Sequence, residues 1–563
     1  MEGSIELVFI PAPGMGHLIS AIQMAKLLLQ KRGSDDLSIS VLIMKPSLDF
    51  KLNSYVESLL AAHDELSSSK LKFVPLSAST AADNTNKAAY YRSLIESHKQ
   101  SASEAVREIQ TRTASGGTRL AGIVVDMFCT DMMDVADELG IPAYVFYTSG
   151  AAMLGLHLHL QELRDVHGKD ITEFKESDSD LEVPTYSTPF PVKFLPANTL
   201  SKTGGESDRF LDIAKRIREA KGIFVNTFLE LEPHALKSLS NVEAMGRIPP
   251  VYPVGPVLNL QGEKNGESDK EIFEWLDSQK KSSVVFLCFG SGGSFTEEQV
   301  KEIAHALERS GQRFLWALVK PTPKDADLDK SKDILPKGFL ERTKGIGKVI
   351  TGWAPQAAIL SHAAVGGFVS HCGWNSTLES VWFGVPMAAW PIYAEQQANA
   401  FQLVMDVGMA VNLKWDYKKA LTSDKTPEIV KAEVIEAAVR KLMARHSEVR
   451  DKAKKLKQKS REAVFEGGSS NILQSFFLEV FNKDLKVKET SDAIGKTSEL
   501  GWEEVKKQVL QLRENIMTVR REVNELQVAL QYEIQERRNY ISFTTIGIVL
   551  VVVAMAIRYY RVP

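Results

Sequence analysis

Short apolar runs alternate with stretches of helical periodicity from residue 5 to about residue 480. The runs in the first half are ELVFIPA, SISVLIM, LKFVPL, GIVVDMF, AYVFYT and GIFVNT. Those in the second half are SVVFLCFGS, RFLWALV, KVITGW, GGFVSH and PMAAW. Runs of this length without polar alternation suit strands buried on both faces, and their alternation with helical patterns predicts parallel α/β domains. A Pro- and Gly-rich segment, 247–266 (RIPPVYPVGPVLNLQGEKNG), predicts a connection between two α/β halves, 1–246 and 267–483.

The pattern changes after residue 483. Residues 484–500 are mostly polar and read as a hinge. In 501–535, Val505, Val509, Leu512, Ile516, Val519, Val523, Leu526 and Leu530 recur at alternating steps of four and three. That spacing predicts a coiled coil, with a parallel homodimer through 505–530, or a single amphipathic helix lying on the enzyme body or a membrane. Residues 540–557 (YISFTTIGIVLVVVAMAI) carry no charge and are flanked by Arg537, Arg538, Arg558 and Arg561. At about 1.5 Å per residue the run spans roughly 27 Å, enough for a transmembrane tail anchor, with a buried core helix as the alternative. Residues 5–11 read as a first core strand and not as a secretory leader, so the body is expected to face the cytosol. The host membrane would be the endoplasmic reticulum, the outer mitochondrial membrane or another organelle membrane.

Composition narrows the function. Apolar content of 44% and charged content of 25% are those of a globular protein. A net charge of −3 gives no electrostatic case for a nucleic acid partner. Cys129, Cys288 and Cys372 lie far apart, without metal-ligand spacing, and read as buried thiols.

The chemistry concentrates in 353–396, WAPQAAILSHAAVGGFVSHCGWNSTLESVWFGVPMAAWPIYAEQ. An apolar run there ends at His371 and passes through Cys372-Gly373-Trp374-Asn375-Ser376 into a helical pattern. A helix start offers unpaired N–H groups and the positive end of the helix dipole, which suits a diphosphate. Gly373 permits a sharp turn, and Asn375, Ser376 and Thr377 are expected to cap the helix. Glu379 falls one turn after Asn375, on the same face. In the first half, His17 follows the first strand in PAPGMGHL, where open α/β sheets place ligands. A helix N-terminus disfavours imidazolium, so His17 is expected to be neutral.

The 44 residues 353–396 resemble, without a gap, the signature box of the plant family 1 UDP-dependent glycosyltransferases. The resemblance implies the GT-B fold, two facing Rossmann-like domains, and an inverting UDP-glucose-dependent O-glucosyltransferase. It implies that Trp353 stacks on uracil and that the Ala354 backbone and Gln356 bond the uracil and ribose edges. Glu379 would take the ribose hydroxyls. His371, Gly373, Asn375 and Ser376 would form the phosphate turn, with Ser291 capping the phosphates from the other side. Trp374, Glu395 and Gln396 would point to the sugar. Gln396 accompanies glucose in this family, and Glu395 stands where Asp is commoner. His17 would be the general base, oriented by Asp126 at the end of GIVVDMF, with Asp131 a nearby competitor. No cofactor or metal is implied, and the one DxD pattern in the first half, in Ser177–Asp180, reads as a solvated loop. The acceptor would be a small hydroxylated lipophile such as a flavonoid, another phenolic or a terpenoid. Phe128, Phe146, Tyr147 and Leu200 are candidates for its pocket or for the core. The competing reading is a non-catalytic membrane-tethered scaffold with a transferase-like body. An NAD-dependent oxidoreductase is disfavoured because GSGGSF lacks the G-x-G-x-x-G spacing. The coiled coil and anchor are not part of the family pattern.

Overall fold

A computed structural model describes residues 4–30, 37–46, 50–65, 70–78, 87–115, 118–202, 204–260, 266–290, 292–319, 334–351, 354–417, 428–465 and 467–470. The chain divides into a unit Met1–Phe477 and a unit Leu478–Pro563. The expected hinge (484–500), coiled coil (501–535) and tail anchor (540–557) lie outside the described residues. Among the described residues, no helix is long and apolar enough to cross a membrane.

The apolar runs become central strands because both their faces are covered. Leu7, Val8, Phe9 and Ile10 are each at most 1% exposed. The helix that follows, Met15–Gln30, buries Leu18, Ile22 and Ala25 at steps of four and three, the spacing that places one face of a helix on a sheet. Repetition of this unit builds a seven-stranded parallel sheet. Its spatial order is Leu71–Leu76, Leu37–Met44, Ile5–Ile10, Arg119–Asp126, Ala143–Tyr147, Gly222–Val225 and Val251–Pro253. The last strand falls inside the segment expected to be a plain connection. Three residues of 247–266 therefore extend the first sheet, paired at Ile223↔Val251.

The second half repeats the plan in a six-stranded parallel sheet. Its order is Gly347–Thr351, Arg313–Leu318, Val284–Cys288, Val365–Ser370, Met387–Ala389 and Ala410–Asn412. In each sheet the first strand of the half lies beside the fourth main strand. Chain connections leave that pair in opposite directions and open a crevice beyond the strand ends, where doubly wound sheets bind ligands. Two such sheets in one unit are the GT-B arrangement.

The halves are joined by side chains. Phe401 of the second half packs against Phe190 and Phe194 of the first, with ring centroids 5.4 and 5.3 Å apart. Ser187 Oγ bonds Asp406, and at the chain's return Ser469 Oγ donates to Glu230 at 2.9 Å. The Ser177–Asp180 stretch leads into a small antiparallel ribbon and exposes both its aspartates.

Candidate active site

His17 lies in the first turn of Met15–Gln30, directly after the first strand. Asp126 ends the strand beside it. Chain topology thus delivers both to the switch point of the first sheet. His17 Nδ1 meets Asp126 Oδ2 at 2.8 Å, with the histidine side chain 28% exposed and the aspartate 1% exposed. The other carboxylate oxygen accepts the Phe128 N–H at 2.9 Å, which fixes the carboxylate plane. Thr148 Oγ1 lies 3.1 Å from the same Nδ1. With Nδ1 facing the carboxylate, the N–H sits on Nδ1 and Nε2 is left as the basic nitrogen. Asp131 does not compete, because Arg209 holds both its oxygens, at 2.6 and 3.1 Å.

The pKa of His17 is moved in the direction opposite to the one its helix position alone favours. Burial pulls its pKa down, but the charge and hydrogen bond of Asp126, with the charge of Glu395, outweigh that and raise it above the ordinary 6.5. Helix position alone suggested a neutral imidazole; two carboxylates brought in by other elements reverse the balance.

The second sheet places His371 after Val365–Ser370, beside the loop that leaves Val284–Cys288. Here glycine is required. A Cβ on Gly290 would come within 2.7 Å of His371 Nε2, and one on Gly373 within 2.6 Å. His371 Nδ1 is buried without a partner, and burial lowers the pKa to about 4. His371 is therefore neutral at pH 7. Burial favours the neutral ring, which can offer a diphosphate a hydrogen bond; the charge of a bound diphosphate acts in the opposite direction.

Gly373 is the N-cap of Trp374–Phe383, without a side-chain cap bond. This replaces the expected capping by Asn375, Ser376 and Thr377, because Cys372 turns at φ 63 and the helix begins at Trp374. The first helical bond runs from Thr377 N–H to the Gly373 carbonyl, so the N–H groups of Trp374, Asn375 and Ser376 precede it. The Asn375 side chain reaches the other half: Ser20 Oγ donates to its Oδ1 at 3.4 Å. A Cβ on Gly16 would lie 3.4 Å from its Nδ2, so the starts of the two helices touch.

Gln356 Nε2 bonds Glu379 Oε2 at 2.7 Å and Ser376 Oγ at 2.8 Å, joining the expected ribose and phosphate groups. Burial raises the Glu379 carboxyl to about 7, against the Gln356 bond that favours the ionised form. Ala354 is buried beside them. Trp353 and Ser291 lie outside the described residues.

Glu395 is the N-cap of Gln396–Met405. Burial raises its pKa, partly offset by its own backbone N–H bond, the charge of His17 and a bond from Asn399. Gln396 Oε1 accepts the N–H groups of Ile392 and Tyr393 at 2.9 and 3.0 Å. Trp374 differs from expectation. Its Nε1 donates to the Asn226 carbonyl at 2.7 Å, and its ring lies against Gly150, so the indole is a bridge between the halves. Packing and an obligatory N–H partner decide its direction, leaving only its backbone at the helix start.

Sequence reasoning missed Thr148, Glu232, Asn399 and Gln402. Glu232, 2% exposed, accepts the N–H groups of Ala151 and Ala152 at 2.8 and 2.9 Å at the start of helix Ala151–Asp165, and Gln402 Nε2 at 2.7 Å. No local pattern announces contacts this far apart in the chain. Of the acceptor candidates, Phe128 lies 5.2 Å from the His17 ring. Phe146, Tyr147 and Leu200 are buried in the first half.

A profile of the UDP-glucoronosyl and UDP-glucosyl transferase family matches residues 248–455. UDP-glucose flavonoid 3-O-glucosyltransferase 6 of Fragaria ananassa is 50% identical over 491 residues, 85% of this chain and 99% of that protein. UDP-glycosyltransferase 71E1 of Stevia rebaudiana is 50% identical over 84% of this chain and 98% of its own length. A Siraitia grosvenorii transferase crystallised with UDP superposes with a TM-score of 0.74 at 45% identity, covering 85% of this chain and all of that one. A Medicago truncatula relative complexed with UDP-glucose gives 0.72 at 39% identity, over 84% of this chain and 98% of its own. With identity of this order across nearly the full length of such relatives, the chain belongs to the plant family 1 UDP-dependent glycosyltransferases.

Proposed function

We propose that this enzyme transfers glucose from UDP-glucose, with inversion, to a hydroxyl of a small lipophilic plant metabolite. The observation that carries the proposal is the 2.8 Å contact of His17 Nδ1 with Asp126, set at one switch point against the start of the helix at the other. The Nε2 lone pair takes the proton of the acceptor hydroxyl. The oxygen attacks the anomeric carbon as its bond to the diphosphate breaks, giving a β-glucoside and UDP. The proton rests on His17, and Asp126 stabilises the imidazolium, as in a hydrolase triad.

Leaving-group charge falls on the N–H groups at the start of Trp374–Phe383 and on His371. Fixed donors of this kind each contribute about 3 kcal/mol in comparable sites, so the scheme calls on no metal ion. Glu379 and Gln356 are assigned to the ribose, and Glu395 and Gln396 to the sugar. Support for glucose comes from Gln396, from the Fragaria relative named for UDP-glucose and from the Medicago complex. Support for a flavonoid, phenolic or terpenoid acceptor comes from the first of these relatives and from Phe128 beside His17. The proposal includes a cytosol-facing body tethered through 540–557; release by carbonate washing would remove the tether.

The test is a mass-spectrometric transfer assay on the full chain with UDP-glucose and a panel of flavonoids, simple phenols and triterpenes. A gain of one hexose, lost in His17→Ala, is expected. Transfer from another UDP-sugar in place of UDP-glucose overturns the sugar assignment. Transfer surviving in His17→Ala overturns the mechanism.

A further inference from the structure

Asn399 has no assigned ligand contact, yet it touches both loops assigned to the donor. It sits one turn into Gln396–Met405 and is 1% exposed. Its Nδ2 donates to the Cys372 carbonyl at 3.0 Å, and its backbone N–H donates to the Glu395 carbonyl at 3.0 Å.

Both loops are held in uncommon backbone geometry. Cys372, φ 63, precedes the phosphate turn, and Ala394, φ 58, precedes Glu395. They are two of three non-glycine residues with positive φ among the described residues. Such conformations persist where surrounding contacts impose them, and they cluster at ligand sites. At Cys372 the contacts are visible: Ser370 Oγ takes its N–H at 3.2 Å and Asn399 takes its carbonyl. Asn399 meanwhile leaves its own Oδ1 buried without a partner. Stability alone does not favour a side chain that strands a buried acceptor.

We propose that Asn399 is a positioning residue that ties the phosphate turn to the start of the helix that carries Glu395 and Gln396. The diphosphate and hexose ends of the donor are then placed relative to each other before the donor arrives. The inference rests on the donor-site reading of residues 371–376 and Glu395 given above.

The test uses the full chain, UDP titration calorimetry, and steady-state transfer from UDP-glucose and UDP-galactose to one acceptor. Asn399→Ala is expected to weaken UDP binding about tenfold, the equivalent of roughly one hydrogen bond. It is also expected to shrink the preference for glucose over galactose about tenfold, because the helix start that carries Glu395 and Gln396 is no longer tied to the turn. Adding Cys372→Gly to that variant should restore UDP affinity, since glycine adopts φ 63 without being held. It should not restore the sugar preference. Asn399→Asp, which keeps the shape but sets a carboxylate against Glu395, should reduce the preference further. Equal losses on both donors, or a double variant that recovers neither quantity, would overturn the proposal and leave Asn399 a structural side chain. If the wild-type protein fails to bind UDP, the donor-site reading falls and this inference with it. If it binds UDP and transfers glucose while Asn399→Ala keeps its preference, this inference falls alone.

Discussion

The two crevices hold histidines at equivalent places in similar sheets, one after the first strand of its half and one after the fourth. Their surroundings drive them in opposite directions. His17 has a carboxylate at 2.8 Å and a second across the cleft, and its pKa is raised. His371 has two glycines against its ring and no partner on Nδ1, and its pKa falls to about 4. Burial acts on both; the carboxylates decide the outcome. Sheet position supplies a place for a histidine, and the neighbours set the direction in which its pKa moves.

The sharpest way to break this contrast is to remove the carboxylate. Asp126→Asn is expected to lower kcat about 10³-fold or more, as loss of the orienting acid does in triads, with UDP affinity by calorimetry unchanged. Retained turnover would mean that His17 does not depend on Asp126. Next in size is the link between the crevices. Glu232→Ala strands two helix N–H groups and the Gln402 amide, and should cost about 3 kcal/mol in denaturant unfolding. His371→Ala should lower kcat about 10²-fold and weaken UDP binding, the usual loss for one transition-state donor.

Acidity separates the crevices further. The proposed base role requires His17 to be deprotonated, so kcat/KM for the acceptor should rise with pH through an apparent pKa above 6.5. In the proposed ribose role Glu379, raised to about 7, would accept hydroxyls best when ionised, so UDP affinity should fall as pH drops through about 7. Glu379→Gln should flatten that dependence. The smallest expected effect is that of Asp131→Asn, within about twofold in kcat, because Arg209 rather than His17 holds it.

Much of this was legible in the sequence because it is local. Continuous apolar runs mark the central strands, His17 follows from its place after the first of them, and Asp126 follows from the family resemblance. The rest depends on elements far apart in the chain. Trp374 reads as a sugar contact until Asn226 supplies its hydrogen-bond partner. Val251–Pro253, three residues among prolines, becomes a strand only because Gly222–Val225 offers an open edge. Thr377 looks like a helix cap, but the Cys372 turn starts the helix before it. Glu395 adds to the raised pKa of His17 after the larger effect of Asp126, and no local pattern shows its approach.

Glu232 also bears on how such enzymes are recombined. It belongs to the half that carries His17, while Gln402 and Trp374, which meet it and its neighbour Gly150, belong to the half that carries the signature box. A hybrid gene that takes one half from each of two parents will inherit both catalytic inventories intact. It will also bring together a buried carboxylate and an amide that were not selected as a pair. The parents' compatibility at positions 150, 232, 374 and 402 is therefore the criterion for choosing which halves to join, ahead of overall similarity.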